Sequence, residues 1–344
     1  MLATERAEGF WPDILVRAGF PSEILSNKRN QPCPFCPGQR SFRFVDKGKG
    51  LWICTHCTES KYSQGLDLLR RHMNFDWTAA AAYVHQFFDG GNISSIEREA
   101  RRRQYQAPTQ EMLERRVAKM RKLWNEARPI IYGDPVHRYL LQRVPQLRVM
   151  PPGLRYHPSL EYWVPNPDPN ADFKYQLLGK YPAMLAKGED PDGNLVQLHK
   201  TYLTADGQRR VDVPDPKKTD VGIGSNCFAF RIFEEVGEEL GVAEGIETAI
   251  AASILRGIPV WPCHCASIMA NFVLPRVLNG RVRKLVIFQD NDPGKVRQDG
   301  SIYRAGQAAA AILAKRARQD GLKTLIVTSP KIGTDIADLV HSFA

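Results

Sequence analysis

Two pairs of cysteines near the amino terminus constrain the fold more tightly than any other feature of the sequence. Cys33 and Cys36 form one pair, Cys54 and Cys57 form the other, and seventeen residues separate the pairs. Two C-x2-C pairs at this separation are typical of a structural zinc site, in which each pair lies on a tight turn and four thiolates complete a tetrahedron. Two short predicted strands lie between the pairs, so this segment is predicted to be a zinc ribbon.

Basic and aromatic residues are interleaved along the predicted ribbon. Arg43, Phe44 and Trp52 lie on its two strands, at residues 41–45 and 51–54. Basic side chains can follow a phosphate backbone while aromatic rings stack on unpaired bases, so these three residues are candidates for contacting single-stranded nucleic acid. The alternative is that the aromatic residues fill the small core that a ribbon needs, and at least one of them is expected to do only that.

A second motif lies at the end of a predicted strand in the last third of the chain. The apolar residues 285–288 are followed by Asp290 and Asp292, which alternation along an extended chain places on the same side. Two like charges at the end of a strand repel each other, and a hard divalent cation such as Mg²⁺, which takes oxygen ligands, offsets that cost. Taken alone, a D-x-D sequence after a strand is more often a solvated turn than a metal site.

The neighbouring segments strengthen the interpretation of this motif as a metal site. Predicted strands and helices alternate through the last third of the chain, which favours a parallel sheet covered by helices. In such folds ligands bind beyond the carboxyl ends of the strands. Glu244 follows an earlier predicted strand, so Glu244, Asp290 and Asp292 are expected at one edge as a site for Mg²⁺- or Mn²⁺-dependent phosphoryl transfer. Asp335 and Asp338 follow the last predicted strand and are candidates for the same edge.

The overall composition agrees with an intracellular protein that binds a polyanion. The formal net charge is +10, and 43% of the residues are hydrophobic, which is ample for several cores. The first twenty residues carry several charges and resemble no signal peptide, and no apolar run has the length of a membrane span. The chain is therefore expected in the cytoplasm without membrane contact, where its seven cysteines are metal ligands or free thiols rather than disulfides.

The sequence predicts a multidomain α/β protein with four parts. They are an amino-terminal helix and zinc ribbon (1–90), a helical basic linker (91–150), a mixed α+β subdomain (151–235) and the α/β domain with the parallel sheet (236–344). In the last part, helices are predicted over residues 247–255, 274–278, 302–318 and 334–343. Lys200, Lys217 and Lys218 in the third part are candidate contacts for nucleotide or template phosphates.

Three short motifs in the last domain resemble a known family. The segments EGIET from Glu244, DNDPG from Asp290 and GTDIADL from Gly333 look like the three ordered motifs of a Toprim domain. The cysteine segment is similar to the zinc ribbon of satellite-phage and conjugative-plasmid primases, and the middle of the chain also looks like that group. One departure is Glu247, which stands at the second acidic position of the first motif where aspartate is more common.

The resemblance implies a DNA primase of the bacterial replicative type. Such an enzyme would make primers from nucleoside triphosphates on a single-stranded DNA template, with divalent ions held by Glu244, Asp290 and Asp292 and with zinc in the ribbon. Glu244 would act either as a metal ligand or mainly as a general acid or base. Because the chain contains no G-x-x-x-x-G-K-[ST] phosphate loop, a helicase is expected as a separate partner.

Two other functions are compatible with the same residues. A Toprim nuclease would use the same carboxylates and ions to cut nucleic acid rather than to extend it. A zinc-ribbon protein with an inactive catalytic domain would bind single-stranded DNA without turnover, although the intact acidic positions argue against this alternative.

Overall fold

The computed structural model of the protein describes residues 2–27, 29–58, 61–89, 108–167, 173, 175–220, 222–296 and 302–341. These residues form two compact units, one within Met1–Pro108 and Gly294–Tyr303 and the other within Thr109–Pro293 and Arg304–Ala344. The first part of the predicted basic linker, residues 91–107, lies outside the described residues. The division of the chain at residues 90, 150 and 235 remains a prediction.

The first unit is built around the ribbon. Strands β1 (Phe42–Asp46) and β2 (Leu51–Cys54) pair antiparallel, with Phe42 opposite Cys54. The helices of this unit are α1 (Ala3–Arg6), α2 (Trp11–Arg17), α3 (Ser22–Ser26), α4 (Gly65–Met73) and α5 (Trp77–Asp89). The apolar faces of these helices meet the ribbon in one core, in which Trp11 and Leu68 are buried together with Trp52. The ribbon is too small to bury its own aromatic residues, and the helices complete its core.

An antiparallel sheet forms the first half of the second unit. Its order is β3 (Arg128–Pro129), β4 (Leu154–Pro165), β5 (Tyr175–Glu189), β6 (Leu195–Tyr202) and β7 (Lys217–Thr219), and β8 (Ala229–Phe230) pairs with β5. Helices α6 (Gln110–Glu126) and α7 (Pro135–Arg143) precede most of these strands in the chain. The highly charged α6 buries Met120 in a cluster with sheet residues such as Leu185, so its charged residues line the solvent side.

A four-stranded parallel sheet forms the second half of this unit and confirms the predicted α/β architecture. Its order is β10 (Val260–Pro262), β9 (Glu239–Ala243), β11 (Lys284–Gln289) and β14 (Lys323–Thr328). Helix α8 (Ile246–Arg256) packs with α11 (Ile336–His341), and α9 (Ala266–Ala270) packs with α10 (Ala305–Gln319). Because β9 and β11 are hydrogen-bonded neighbours, the residues that follow their carboxyl ends meet at one edge of the sheet.

Two predicted helices differ from the structure. The helix predicted from residue 302 begins only at Ala305, because β13 (Ile302–Tyr303) pairs antiparallel with β12 (Lys295–Val296). The segment predicted as a helix at 274–278 has only a 3-10 turn at Arg276–Leu278. The helix of that connection is instead α9, which directly follows Cys265. None of the helices in the described residues has the length and apolar character that crossing a bilayer requires.

Candidate functional site

The four predicted cysteines converge in the first unit. Their sulfur atoms all lie within 4.8 Å of one another, with 3.8 Å between the Sγ atoms of Cys33 and Cys57 and 3.8 Å between those of Cys36 and Cys54. Zn–S bonds of about 2.3 Å arranged as a tetrahedron give S···S distances of about 3.8 Å. The turns after Cys33 and Cys54 aim backbone N–H groups at these sulfurs, from Phe35 and His56, each at 3.4 Å.

The chemistry of this cluster also fits zinc. Hydrogen bonding between the thiols raises the pKa of Cys33 to about 12, through Cys54, and lowers the pKa of Cys54, through Cys33. Four sulfurs at these distances therefore share protons unless a cation is present, and a zinc ion replaces those protons as the thiolates bind it. The cysteine set is a zinc site whose closed shell of four sulfurs makes it structural.

The three predicted acidic residues lie at the carboxyl edge of the parallel sheet. Glu244 directly follows β9, and Asp290 and Asp292 follow the neighbouring strand β11. The Glu244 Oε1 atom and the Asp290 backbone oxygen both lie within 4 Å of the point that a Cβ atom on Gly306 would occupy. The three carboxylates are not as tightly grouped as the cysteines. Among the described residues, the cysteines are the only three or more His, Cys, Asp or Glu residues whose ligand atoms all lie within 4.8 Å of one another.

Electrostatic repulsion is concentrated at this edge. Burial, together with the charges of Asp290 and Asp292, raises the pKa of Glu244 to about 7. Burial also raises the pKa of Asp290 to about 6, with the charges of Asp335, Asp292 and Asp338 adding to the effect. Like charges that crowd a half-buried edge favour either a shared proton or a bound cation.

Asp290 also has an unused hydrogen-bond acceptor. Its Oδ1 atom is buried and has no hydrogen-bond partner among the described residues. A buried carboxylate oxygen without a partner is costly, and such an oxygen is a preferred ligand for a hard divalent cation. The residues at this edge therefore fit a Mg²⁺ or Mn²⁺ ion.

Asp335 and Asp338 occupy the same edge but use part of their hydrogen-bonding capacity locally. Asp335 N donates to Asp338 Oδ2 and Asp338 N donates to Asp335 Oδ1, both at 3.0 Å, at the start of α11. The Thr248 hydroxyl donates to Asp335 Oδ2 at 3.1 Å. These contacts fix the turn before α11, and both residues add negative charge near Asp290.

Glu247 has the opposite environment from Glu244, only three residues away. It is 5% exposed, accepts a hydrogen bond from the Tyr139 hydroxyl at 2.6 Å and pairs with the Lys217 ammonium at 3.0 Å. Burial alone raises the pKa of Glu247, but Lys217 and Tyr139 together lower it to about 2. This ion pair joins β7 to the start of α8, and sequence reasoning missed it because no spacing rule connects positions 139, 217 and 247.

Lys200, Lys217 and Lys218, the predicted phosphate contacts, all have partners within the protein. Lys200 is 8% exposed and its Nζ atom donates to Asp220 at 2.6 Å. The Nζ atom of Lys218 donates to the Trp163 backbone oxygen at 2.6 Å and lies 3.7 Å from the centre of the Tyr162 ring. Lys217, paired with Glu247, keeps a partly exposed side chain.

The predicted aromatic contacts of the ribbon lie in its core. Phe44 is 1% exposed and Trp52 is 0% exposed. The Trp52 ring packs against Phe42 and Phe35, and its indole N–H donates to the Gln64 backbone oxygen at 3.2 Å. This placement corresponds to the alternative in which these rings fill the ribbon's core, since neither presents a face for stacking. Arg43 is half-buried, and its Nε atom is buried without a hydrogen-bond partner in the part of the chain that the structure describes.

Family models match three segments of the chain. Residues 28–65 match the zinc-binding domain of primase-helicase, and residues 239–343 match the Toprim domain. Between them, residues 114–229 match a domain of unknown function (DUF7146). The two named domains contain the cysteine site and the acidic edge, respectively.

The solved structures most relevant to these matches are bacterial and phage primases. The zinc-binding and RNA polymerase domains of the Aquifex aeolicus primase are 14% identical, with a TM-score of 0.37, covering 100% of this chain and 83% of that chain. The primase fragment of the bacteriophage T7 primase-helicase is 13% identical, with a TM-score of 0.35, and the match covers 91% of this chain and 94% of that chain. Because these TM-scores are low, the assignment rests on the family models. The chain therefore contains a zinc-binding domain of the primase-helicase type followed by a Toprim domain.

Proposed function

We propose that this protein synthesises short primers from nucleoside triphosphates on a single-stranded DNA template, by nucleotidyl transfer that depends on a divalent metal ion. The observation that carries the proposal is the buried Oδ1 atom of Asp290, which has no partner in the described part of the chain and lies at an acidic edge where the pKa values of Glu244 and Asp290 are both raised. An edge of this kind serves phosphoryl transfer, and here it occurs in one chain with a primase-type zinc ribbon.

Glu244, Asp290 and Asp292 are the proposed ligands of Mg²⁺ or Mn²⁺. A divalent ion at this position supplies charge neutralisation for the triphosphate, the attacking hydroxyl and the leaving pyrophosphate. The Glu244 carboxyl, with a pKa of about 7, can hold or release a proton near neutral pH, which suits it to general acid or base work at the same edge.

The remaining predicted residues have supporting roles in this proposal. Lys217, the most exposed of the three lysines, is the strongest candidate for a phosphate contact, whereas Lys200 and Lys218 position the sheet through their internal partners. The zinc ribbon holds the template through its basic residues, including Arg43. A separate helicase would supply single-stranded template, and the cytoplasm remains the proposed location.

The test is incorporation of labelled nucleotides on a single-stranded template with Mg²⁺ or Mn²⁺, using ribonucleotides and deoxyribonucleotides in separate reactions. Asp290→Ala and Asp292→Ala are expected to abolish incorporation while zinc content stays at the wild-type level. Asp320→Ala is the matched control, because Asp320 is an exposed acidic residue at the far end of α10.

Two other outcomes of these assays would contradict the proposal and indicate a different function. Shortening of a labelled strand without added nucleotides, lost in the same two variants, would assign the edge to a nuclease. Binding of single-stranded DNA with no incorporation and no cutting would assign the protein as a non-catalytic binder.

A further inference from the structure

The first turn of α10 contacts both sides of the acidic edge. Arg304, which precedes the helix, donates from Nε to the Asp292 backbone oxygen at 3.0 Å. Gln307 Nε2 lies 3.5 Å from Asn291 Oδ1, in the same loop after β11. Gly306, between them, lies against the carboxylate of Glu244, which follows the other strand. One helical turn therefore touches the segments that carry all three proposed ligands.

The contact at Gly306 leaves no space for a side chain unless the Glu244 carboxylate moves. A Cβ atom there would lie 2.7 Å from Glu244 Oε1, closer than real Cβ contacts allow. Glu244 Oε1 is the far end of a flexible side chain, so the Glu244 carboxylate, rather than the backbone, would give way. An added methyl group would therefore displace the Glu244 carboxylate.

Backbone conformation does not explain this glycine. Gly306 is not among the residues with positive φ, so alanine fits its backbone without strain. Glycine within a helix costs about 1 kcal/mol relative to alanine. Alanine is the commonest residue of α10, and Gly306 is its only glycine. The space that Glu244 needs is the remaining physical reason for glycine at this position.

We propose that Gly306 is a positioning residue, which sets the distance between the carboxylate of Glu244 and the Asp290–Asp292 loop by leaving room for the Glu244 side chain. The inference rests on the proposed function, because it concerns the geometry of the proposed metal site. Gly306 does not touch substrate, and its effect is exerted through Glu244.

The test measures Mn²⁺ binding to the full-length, zinc-loaded protein by the electron paramagnetic resonance signal of free Mn²⁺. Gly306→Ala is expected to weaken Mn²⁺ binding by about tenfold or more, as for other residues that orient metal ligands. Its melting temperature without Mn²⁺ is expected to stay the same or to rise, because alanine favours the helix. Gly237→Ala is the matched control, since a Cβ atom there meets nothing within 4 Å, and it is expected to bind Mn²⁺ like the wild type.

A double-mutant cycle distinguishes steric displacement of the Glu244 carboxylate from a general disruption of the structure by Gly306→Ala. Glu244→Asp shortens the side chain by one methylene group and withdraws the carboxylate from position 306. Adding Gly306→Ala to Glu244→Asp is therefore expected to cost far less affinity than adding it to the wild type. Wild-type affinity in Gly306→Ala, or an equal loss in both backgrounds, would overturn the proposal.

Asp290→Ala distinguishes failure of this inference from failure of the proposed function. If Asp290→Ala binds Mn²⁺ as tightly as the wild type, the acidic edge is not the metal site and both proposals fail. If Asp290→Ala loses binding while Gly306→Ala keeps it, the proposed function stands and the role of Gly306 is wrong.

Discussion

At the scale of single residues, the environment decides what each carboxylate of the second unit can do. Glu244 and Glu247 are the same residue type on adjacent segments, yet the pKa of Glu244 is raised to about 7 and that of Glu247 is lowered to about 2. Glu244 faces other acids, whereas Glu247 faces Lys217 and Tyr139. The carboxylate of Glu244 is repelled by its acidic neighbours, and a bound cation would reduce that repulsion. The charge of Glu247 is already compensated by its partners within the protein.

Asp290→Asn is expected to stabilise the protein in the absence of Mg²⁺ and Mn²⁺ while removing metal binding. The pKa of Asp290 is raised to about 6, above its value in the unfolded chain, so ionising Asp290 lowers the free energy of unfolding as the pH rises from about 4 to 6. Asparagine removes that charge and flattens this part of the pH dependence. After discounting for solvent screening, the expected gain at pH 7 is on the order of 1 kcal/mol.

Urea denaturation at pH 4.5 and pH 7, with zinc retained and no other divalent ion added, measures this effect. Asp320→Asn, at an exposed position, serves as the control and should match the wild type at both pH values. A loss of stability in Asp290→Asn at pH 7 would show that Asp290 is paired rather than repelled.

Glu247→Gln is expected to destabilise the protein, in contrast to Asp290→Asn. The pKa of Glu247 is lowered in the folded protein, so its contribution to stability is full above the unfolded value of about 4.3 and is lost as the pH falls toward 2. Glutamine leaves the Lys217 ammonium without its carboxylate, and the free energy of unfolding at pH 7 should fall by about 3 kcal/mol.

The same urea experiment at pH 7 and pH 3 tests the Glu247 prediction. The difference between wild type and Glu247→Gln should be large at pH 7 and smaller at pH 3. Glu239→Gln is a suitable control, because Glu239 forms a more exposed ion pair with Lys284. An equal effect of the two substitutions would contradict the structural importance of the buried pair.

At the scale of secondary-structure elements, the sequence predicted those strands and helices whose pattern lies within one continuous segment. The cysteine spacing predicted the ribbon, and the apolar run at 285–288 predicted β11, because burial on both faces leaves a continuous hydrophobic stretch. The late start of α10 was not predictable, because the pairing of Ile302 with Val296 depends on a partner strand rather than on helix propensity. The contact between Gly306 and Glu244 was equally hidden, because it joins two segments sixty-two residues apart.

The zinc ribbon is expected to depend on its metal ion for folding. Cys36→Ser is expected to release zinc and to unfold β1 and β2, because a ribbon of two short strands depends on its metal for stability. The buried indole of Trp52 should then exchange its N–H proton rapidly, since its hydrogen bond to Gln64 depends on the folded ribbon. Two-dimensional NMR of the tryptophan indoles, with zinc content measured in parallel, reports both changes.

Cys265→Ser is the matched control for the ribbon, since Cys265 lies at the start of α9 in the other unit. It should keep the wild-type zinc content and leave the Trp52 signal unchanged. If Cys36→Ser keeps slow exchange at Trp52, the core formed with α2 and α4 holds the ribbon together without its metal.

At the scale of the whole molecule, the proposed function assigns basic and acidic residues to two different tasks. The net charge of +10 favours nucleic acid as a partner, whereas the acidic edge concentrates negative charge around Asp290. Template binding and nucleotidyl transfer should therefore be separable, because the first depends on distributed basic residues and the second on a few carboxylates.

The last prediction tests this separation. Single-stranded DNA binding should weaken steeply with salt, by on the order of 100-fold between 50 and 200 mM if about five phosphates are contacted, because each contact releases condensed counterions. Asp290→Ala and Asp292→Ala remove negative charge, so they should bind the strand as tightly as the wild type or somewhat more tightly, with the same salt slope and no primer synthesis. Fluorescence anisotropy of a labelled oligonucleotide, measured with and without Mg²⁺, provides the affinities. A loss of binding in these two variants that parallels their loss of synthesis would mean that the acidic edge, through its metal ion, is itself the main contact with the template.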